Sequence, residues 1–146
     1  MTETMEYWAA EELDDFALNN LRECEQKISY QFRDLRFLHQ ALTHSSIKTI
    51  DNPSNERLEF LGDSVLGLVM TEFLYNFFQN RDEGELTQIK SVVVSTNILA
   101  EESQRLGLRG PYNDGKGVNQ RKKLPNSQLD NLFEAVVAAI KKDRSI

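Results

Sequence analysis

Glu59 and Asp63 are the residues whose types and spacing could carry chemistry in this 146-residue chain. Four apart on a helix, their side chains share one face. Like charges so placed destabilise a helix by roughly 0.2–0.5 kcal/mol, and burial beside apolar stripes adds to that cost. A pair kept in such a place needs a compensating cation. Gly62, between them, removes side-chain bulk and lets another backbone or a phosphate come close. With no histidine or cysteine nearby in sequence, hard carboxylate oxygens suit magnesium better than zinc. The same E-x-x-x-D spacing also fits a solvated helix face paired with arginines, and spacing alone leaves both readings open.

The elements that must position this pair read as helices throughout. Asn52 followed by Pro53 predicts a helix start, since proline at the first helical position loses no needed donor. That helix runs to about Phe78. Leu58, Leu61, Val65 and Leu68 form one stripe and Leu66, Val69, Phe73 and Phe77 an adjoining one, a width that predicts burial on most sides. Before it, Leu18, Leu21, Cys24 and Ile28 recur at helical spacing, which makes Cys24 a small core residue rather than a reactive thiol. Phe32, Leu35, Leu38 and Leu42 form a second periodic stretch. After it, Asp82-Glu83-Gly84 precede a helix carrying Leu86, Ile89, Val93 and Val94. Thr96 or Asn97 is expected to cap the next helix, which stops at Leu106-Gly107 with a glycine C-cap. A long irregular stretch, GPYNDGKGVNQRKKLPN, leads to a last helix from about Ser127 with Leu129, Phe133, Val136, Val137 and Ile140. No repeat and no strand-like alternation is seen, so the fold class is all-α, a helical bundle around a buried central helix.

Bulk properties set the frame. The chain is 40% hydrophobic, enough for one domain with a substantial core. A single cysteine excludes an internal disulfide, no apolar run approaches a bilayer span, and the start lacks the order of a signal peptide. The expectation is a soluble, cytoplasmic protein with no membrane partner. Net charge is −6, yet six of the 23 acids lie within residues 1–15 with no base among them. The remaining 17 acids equal the 17 lysines and arginines, so the body of the domain is neutral. A neutral body lacks the basic stripe of a tight nucleic-acid binder.

NERLEFLGDSVLGLV, residues 55–69, resembles the signature of the ribonuclease III family nearly residue for residue. Other segments fall in the family's order: ALTHSS (41–46), DEGELT (82–87), LAEESQRLGL (99–108), GKG (115–117) and LFEAVVAAI (132–140). The resemblance covers about residues 18–142 and is to the main bacterial-type branch. It implies one endonuclease domain over 1–146 with the family's helical fold. Members of this branch commonly carry a double-stranded-RNA-binding domain after the nuclease domain. None is recognised within these 146 residues, and such a domain would supply much of the RNA affinity that a neutral body lacks.

The activity implied is magnesium-dependent hydrolysis of double-stranded RNA in RNA processing, leaving a 5′-phosphate and a 3′-hydroxyl, with manganese able to substitute. The homodimer would set one site on each strand across the minor groove, where A-form RNA is read mainly by shape, 2′-hydroxyls and phosphates. The family's catalytic and metal-holding acids match Glu59, Asp63 and Glu134. A fourth family carboxylate falls at Asn131, because the family's D-x-x-E here reads Asn131-Leu132-Phe133-Glu134. Asparagine keeps a carbonyl oxygen but loses the charge, so weaker metal binding or slower cleavage is expected. Asp130, next door, is turned about 100° from that position and is expected to be a poor substitute.

Glu56 belongs to the signature, where the family reading sets it near the interface and the RNA and the bland one makes it a helix-start acid. Phe60 resembles the aromatic that inserts into the partner subunit. His44 is expected to be structural, with its ring hydrogen-bonded near the signature helix. Lys116, Arg121, Lys122 and Lys123 are candidates for phosphate contact, although exposed loop lysines often only solubilise. Two other functions compete. One is a catalytically impaired RNA-binding or scaffolding member of the family, which Asn131 favours and the retained acids oppose. The other is a helical phosphohydrolase of small nucleotides, which the absence of His-Asp pairs disfavours.

Overall fold

In the computed structural model, residues 13–50, 53–116 and 122–145 are described, and among them six α-helices form without any strand. The all-α expectation holds. Helix α1 spans Asp15–Ile28 and starts where the Asp14 carboxylate accepts from the Ala17 N–H at 2.8 Å. Leu21 and Cys24 are buried on its inner side. Burial pushes the Cys24 thiol up to about 11, which keeps it protonated and unreactive at neutral pH.

Helix α2, Leu35–Ala41, begins three residues later than the periodic stretch through Phe32 suggested. Asp34 caps it, accepting from the Arg36 N–H, and Phe32 is buried from the connecting segment instead. The Phe32 N–H donates to Glu25 Oε2 at 2.6 Å. A short 3-10 turn, Ser45–Ile47, follows, with the His44 ring at its start.

Helix α3 spans Glu56–Phe77, so Pro53 is not its first helical residue. The delay has a cause: the Asn55 N–H is drawn to the Thr43 carbonyl at 2.9 Å, and Gln40 holds the Ser54 carbonyl. Helices α4, Glu83–Val93, and α5, Thr96–Arg105, are capped by Asp82 and Ser95. The expected caps Thr96 and Asn97 are therefore already inside α5, because Ser95 reaches the Ile98 N–H first. The expected glycine stop is present. Gly107 has φ 66°, its N–H reaches the Gln104 carbonyl, and the Leu108 N–H reaches that of Ser103. This pair of bonds closes a Schellman motif.

The last helix, α6 (Asn126–Arg144), is the buried centre of the bundle. It packs against α2, α3 and α5, and Leu129, Leu132, Ala135, Val136, Ala138 and Ala139 are all buried. Three alanines on that face let neighbouring helices approach closely. Asp143, fully buried near its end, accepts from the Tyr30 hydroxyl at 2.6 Å and from the Arg33 and Asp34 N–H groups at 2.9 and 2.8 Å. A buried carboxylate with three donors is satisfied, and it ties the end of α6 to the α1–α2 link.

The signature helix α3 differs from the sequence expectation. Leu58, Leu66 and Leu74 are buried, but Phe60, Leu68, Val69, Phe73 and Phe77 are 55–82% exposed in the single chain. One side of α3 lies on α6; another carries an apolar strip that no part of this chain covers.

At the α3–α6 crossing the two backbones touch. A Cβ added at Gly62 would lie 1.8 Å from the Glu134 carbonyl oxygen, a backbone atom that no side-chain rotation can move away. At Gly67, one and a half turns on, the same addition meets only the Lys90 ammonium at 3.8 Å, an ordinary contact. Gly62→Ala should therefore lower stability by about 3 kcal/mol or more, the upper end of overpacking costs. Gly67→Ala should be neutral or stabilising by about 0.5–1 kcal/mol through helix propensity. Paired urea titrations measure both; equal midpoints for the two variants would contradict the crossing.

Candidate active site

Because α3 and α6 touch at Gly62 and Glu134, the carboxylates flanking Gly62 stand opposite those flanking Glu134. Glu59 and Asp63 come from α3, and Glu134 comes from α6. Glu134 is 71 residues beyond Asp63 in sequence, yet both line one cavity of about 570 Å³ with Ser64, Thr71 and Lys90. The acids also act on one another's protonation. Burial and then the charges of Asp130, Asp63 and Glu59 push the Glu134 carboxyl up to about 8. Glu59 is raised by burial and by Glu56 and Asp130.

The fourth carboxyl in reach is that of Asp130. Its affinity for a proton is raised by burial, with hydrogen bonds to Thr96 and Glu134 opposing this and the charge of Asp63 adding to it. Asp130 was expected to be a poor substitute for position 131, yet its carboxyl acts directly on that of Glu134. Relative to position 131 it is turned by about 100°, but relative to Glu134 it lies at i−4, about 40° off the same line, whereas Asn131 lies about 60° off on the other side. Both positions flank the face that Glu134 occupies, and the i, i+4 pair is the closer in azimuth. Asn131 is half-buried, and no hydrogen bond of its side chain is found among the described residues.

These donors fit a hard divalent cation by their chemistry. They are carboxylate oxygens, burial and neighbouring acids disfavour the charge of Glu134 and Glu59, and Asp130 Oδ1 is buried without a hydrogen-bond partner. Their arrangement is not yet a ligand set: among the described residues, no three acids stand ready to hold one ion. Binding would require the side chains to turn inward.

The other predicted residues fall at varied distances from this group. Glu56 is exposed at the start of α3, 3.8 Å from the Lys48 ammonium, and its charge reaches Glu59. Phe60 is 82% exposed, on the uncovered strip. The His44 ring accepts from the Ser46 N–H and stands edge-on to Tyr112, so its bonds serve the 3-10 turn and not α3. Lys116 and Lys122 are exposed in the segment before α6, and Arg121 lies outside the described residues. That segment is anchored. Arg109 donates to Asp114 and to the Lys122 carbonyl, and an isolated parallel bridge joins Asn113 to Thr43. Buried Tyr112 is close enough for Glu59 to help raise its hydroxyl to about 12, after burial and Asp114. Sequence reasoning passed over Asp130 in favour of Asn131 and missed Lys90 altogether. Helical spacing from Glu134 could have found the first; nothing in the sequence marks the second.

Residues 34–146 match the family model described as Ribonuclease-III-like. The chain belongs to the ribonuclease III family. It is 44% identical over 124 residues to Ribonuclease 3 of Rhodopirellula baltica, covering 85% of this chain and 47% of that protein. Ribonuclease 3 of Nitratiruptor is 42% identical over 126 residues, covering 84% and 54%. The chain thus spans about half the length of these two relatives. The nuclease domain of Ribonuclease III from Campylobacter jejuni, whose structure shows flexibility in the region of dimer formation, superposes with a TM-score of 0.75 at 35% identity, covering 84% of this chain and 85% of that one. Dicer from Pichia stipitis superposes at 0.58 with 26% identity over 78% and 47%. The bundle is therefore the family's nuclease-domain fold, and the family implies a divalent metal cofactor. Among the described residues, no helix is long and apolar enough to cross a membrane.

The raised Glu134 carboxyl gives a pH dependence with a definite sign. Its affinity for protons is higher folded than unfolded, so its contribution favours the fold fully below about 4.5 and is lost as pH rises through about 8. In metal-free buffer the thermal midpoint should fall between pH 6 and 9, and Glu134→Gln should flatten that fall. Adding a divalent ion at pH 9 should restore the wild-type midpoint and leave Glu134→Gln less affected. A wild-type midpoint that rises over this range without metal would refute the assignment.

Proposed function

We propose that this chain is a magnesium-dependent endonuclease domain that hydrolyses double-stranded RNA as a homodimer, leaving a 5′-phosphate and a 3′-hydroxyl. What supports the reading is that Asp63 and Glu134 line one cavity, with Glu59 and Asp130 within electrostatic reach, in a chain of this family. Four mutually repelling carboxyls on two helices gain from a divalent cation, and a bound magnesium ion would supply the positive charge that phosphodiester hydrolysis needs. Manganese is expected to substitute, being an oxygen-preferring ion of similar chemistry. Glu59, Asp63, Asp130 and Glu134 would hold it, and the Thr96 side chain would keep Asp130 oriented. Lys116, Arg121 and Lys122 remain candidates for contact with RNA phosphates, and Glu56 for the rim of the RNA site.

This reading moves the fourth carboxylate from Asn131 to Asp130. The amide of Asn131 can orient a water, but Asp130 supplies the charge. On a perfectly paired RNA duplex with magnesium, the wild-type chain should cut. Glu134→Gln and Asp130→Asn should each lower kcat by about 10²-fold or more, while Asn131→Asp should change it by less than about tenfold. A large gain from Asn131→Asp beside an indifferent Asp130→Asn would return the role to position 131. An uncut duplex under both magnesium and manganese would instead support the impaired, RNA-binding alternative.

Assembly as a homodimer rests on the strip of Phe60, Leu68, Val69, Phe73 and Phe77 along α3, too apolar and too exposed for a lone chain. A two-fold axis across it would give each strand of a duplex its own site. Sedimentation at micromolar concentration should show a dimer, and Phe60→Asp should shift it to monomer without lowering the monomer's own helicity. A wild-type chain that sediments only as monomer would refute this.

A further inference from the structure

Lys90 is half-buried on α4 and lines the same cavity as Asp63 and Glu134. Its ammonium lies over α3 at Gly67, 3.8 Å from where a Cβ there would stand. It takes part in none of the ion pairs among the described residues. A half-buried cation with no carboxylate closing on it is costly unless an anion completes its surroundings. Leu66, Leu68, Val94 and Leu99 in the same wall lower the local dielectric, which strengthens any charge contact made there.

Asp63 and Glu134 line the same cavity, and their charges repel phosphate. An RNA phosphodiester can settle beside them only if positive charge offsets that repulsion, and a cation held by the acids faces the phosphate from one side alone. We infer that Lys90 contacts a non-bridging oxygen of the phosphodiester from the other side, in the cavity it shares with Asp63 and Glu134. The contact holds the phosphate between two positive charges and stabilises the negative charge that grows on its oxygens during hydrolysis. Arginine would keep both the charge and donors at this position, whereas glutamine would keep only length and polarity.

This inference rests on the reading of the site as a phosphodiesterase centre, and its test separates the two. Wild type, Lys90→Gln and Lys90→Arg are assayed on a perfectly paired RNA duplex with magnesium over a series of salt concentrations, with thermal midpoints measured alongside. Lys90→Gln should lose about 10²-fold in kcat/KM, and its fall of log kcat/KM with log salt should be shallower by about 1. Lys90→Arg should retain the wild-type salt slope and come within about tenfold of the wild-type rate, and all three should melt alike. Unchanged rate and slope in Lys90→Gln would overturn the assignment. So would a rate loss that comes with a lowered midpoint and an unchanged slope, which marks a structural role. Failure of the wild-type chain to cut would overturn the reading of the site itself.

Discussion

The backbone contact between Gly62 and Glu134 is the constraint on which the rest of this structure depends. Helices that meet through side chains stand 8–10 Å apart. Here a glycine on α3 presses on a carbonyl of α6 with no room for a methyl group. That approach brings Glu59 and Asp63 within electrostatic reach of Asp130 and Glu134. The alanines on the buried side of α6 and the anchoring of its far end through Asp143 serve the same end. They hold α6 deep in the bundle, so that it reaches α3 at one place and in one register.

Bringing four carboxyls together opposes folding, and the fold bears that opposition locally. Glu134 is driven toward its protonated form, and Asp130 keeps a buried oxygen without a partner. Such unsatisfied groups are rare in folded proteins and concentrate where a ligand is to complete them. Outside the crossing, most helix ends and the segment before α6 are tied down. Caps close α1, α2, α4 and α5, and Arg109 and the Thr43–Asn113 bridge fix the segment that passes Glu59.

Much of this was legible in the sequence, for identifiable reasons. The E-x-x-x-D pair flanking a glycine is a local pattern, and helical spacing alone puts its acids on one face. The glycine stop at Gly107 was legible because a left-handed residue after a helix is a local demand. The start of α3 was not, because a long-range bond from Asn55 to Thr43 overrides the local preference of Pro53. Nor was the coupling of Asp130 to Glu134. Matching the family pattern position by position singled out 131, whereas positions i−4 and i−3 flank the azimuth of Glu134 on either side. Lys90 left no trace, since its place opposite Gly67 depends on how α4 packs on α3.

The width of the apolar pattern on α3 carries a different lesson. Two adjoining stripes were read as burial on most sides, yet only one side is covered within this chain. Periodicity records which faces leave water, not which molecule covers them. The last helix shows the converse: its apolar stripe is narrower on paper, but alanines count as core there because α2, α3 and α5 close around them. Phe60 lies one residue from Glu59 and two from Gly62, so the uncovered strip and the acid group share a rigid helical frame. A body that docks on the strip would fix the direction in which Glu59 and Asp63 face without touching either one. Since α3 is pinned to α6 at Gly62, such docking would meet a helix whose register against the other acids is already set.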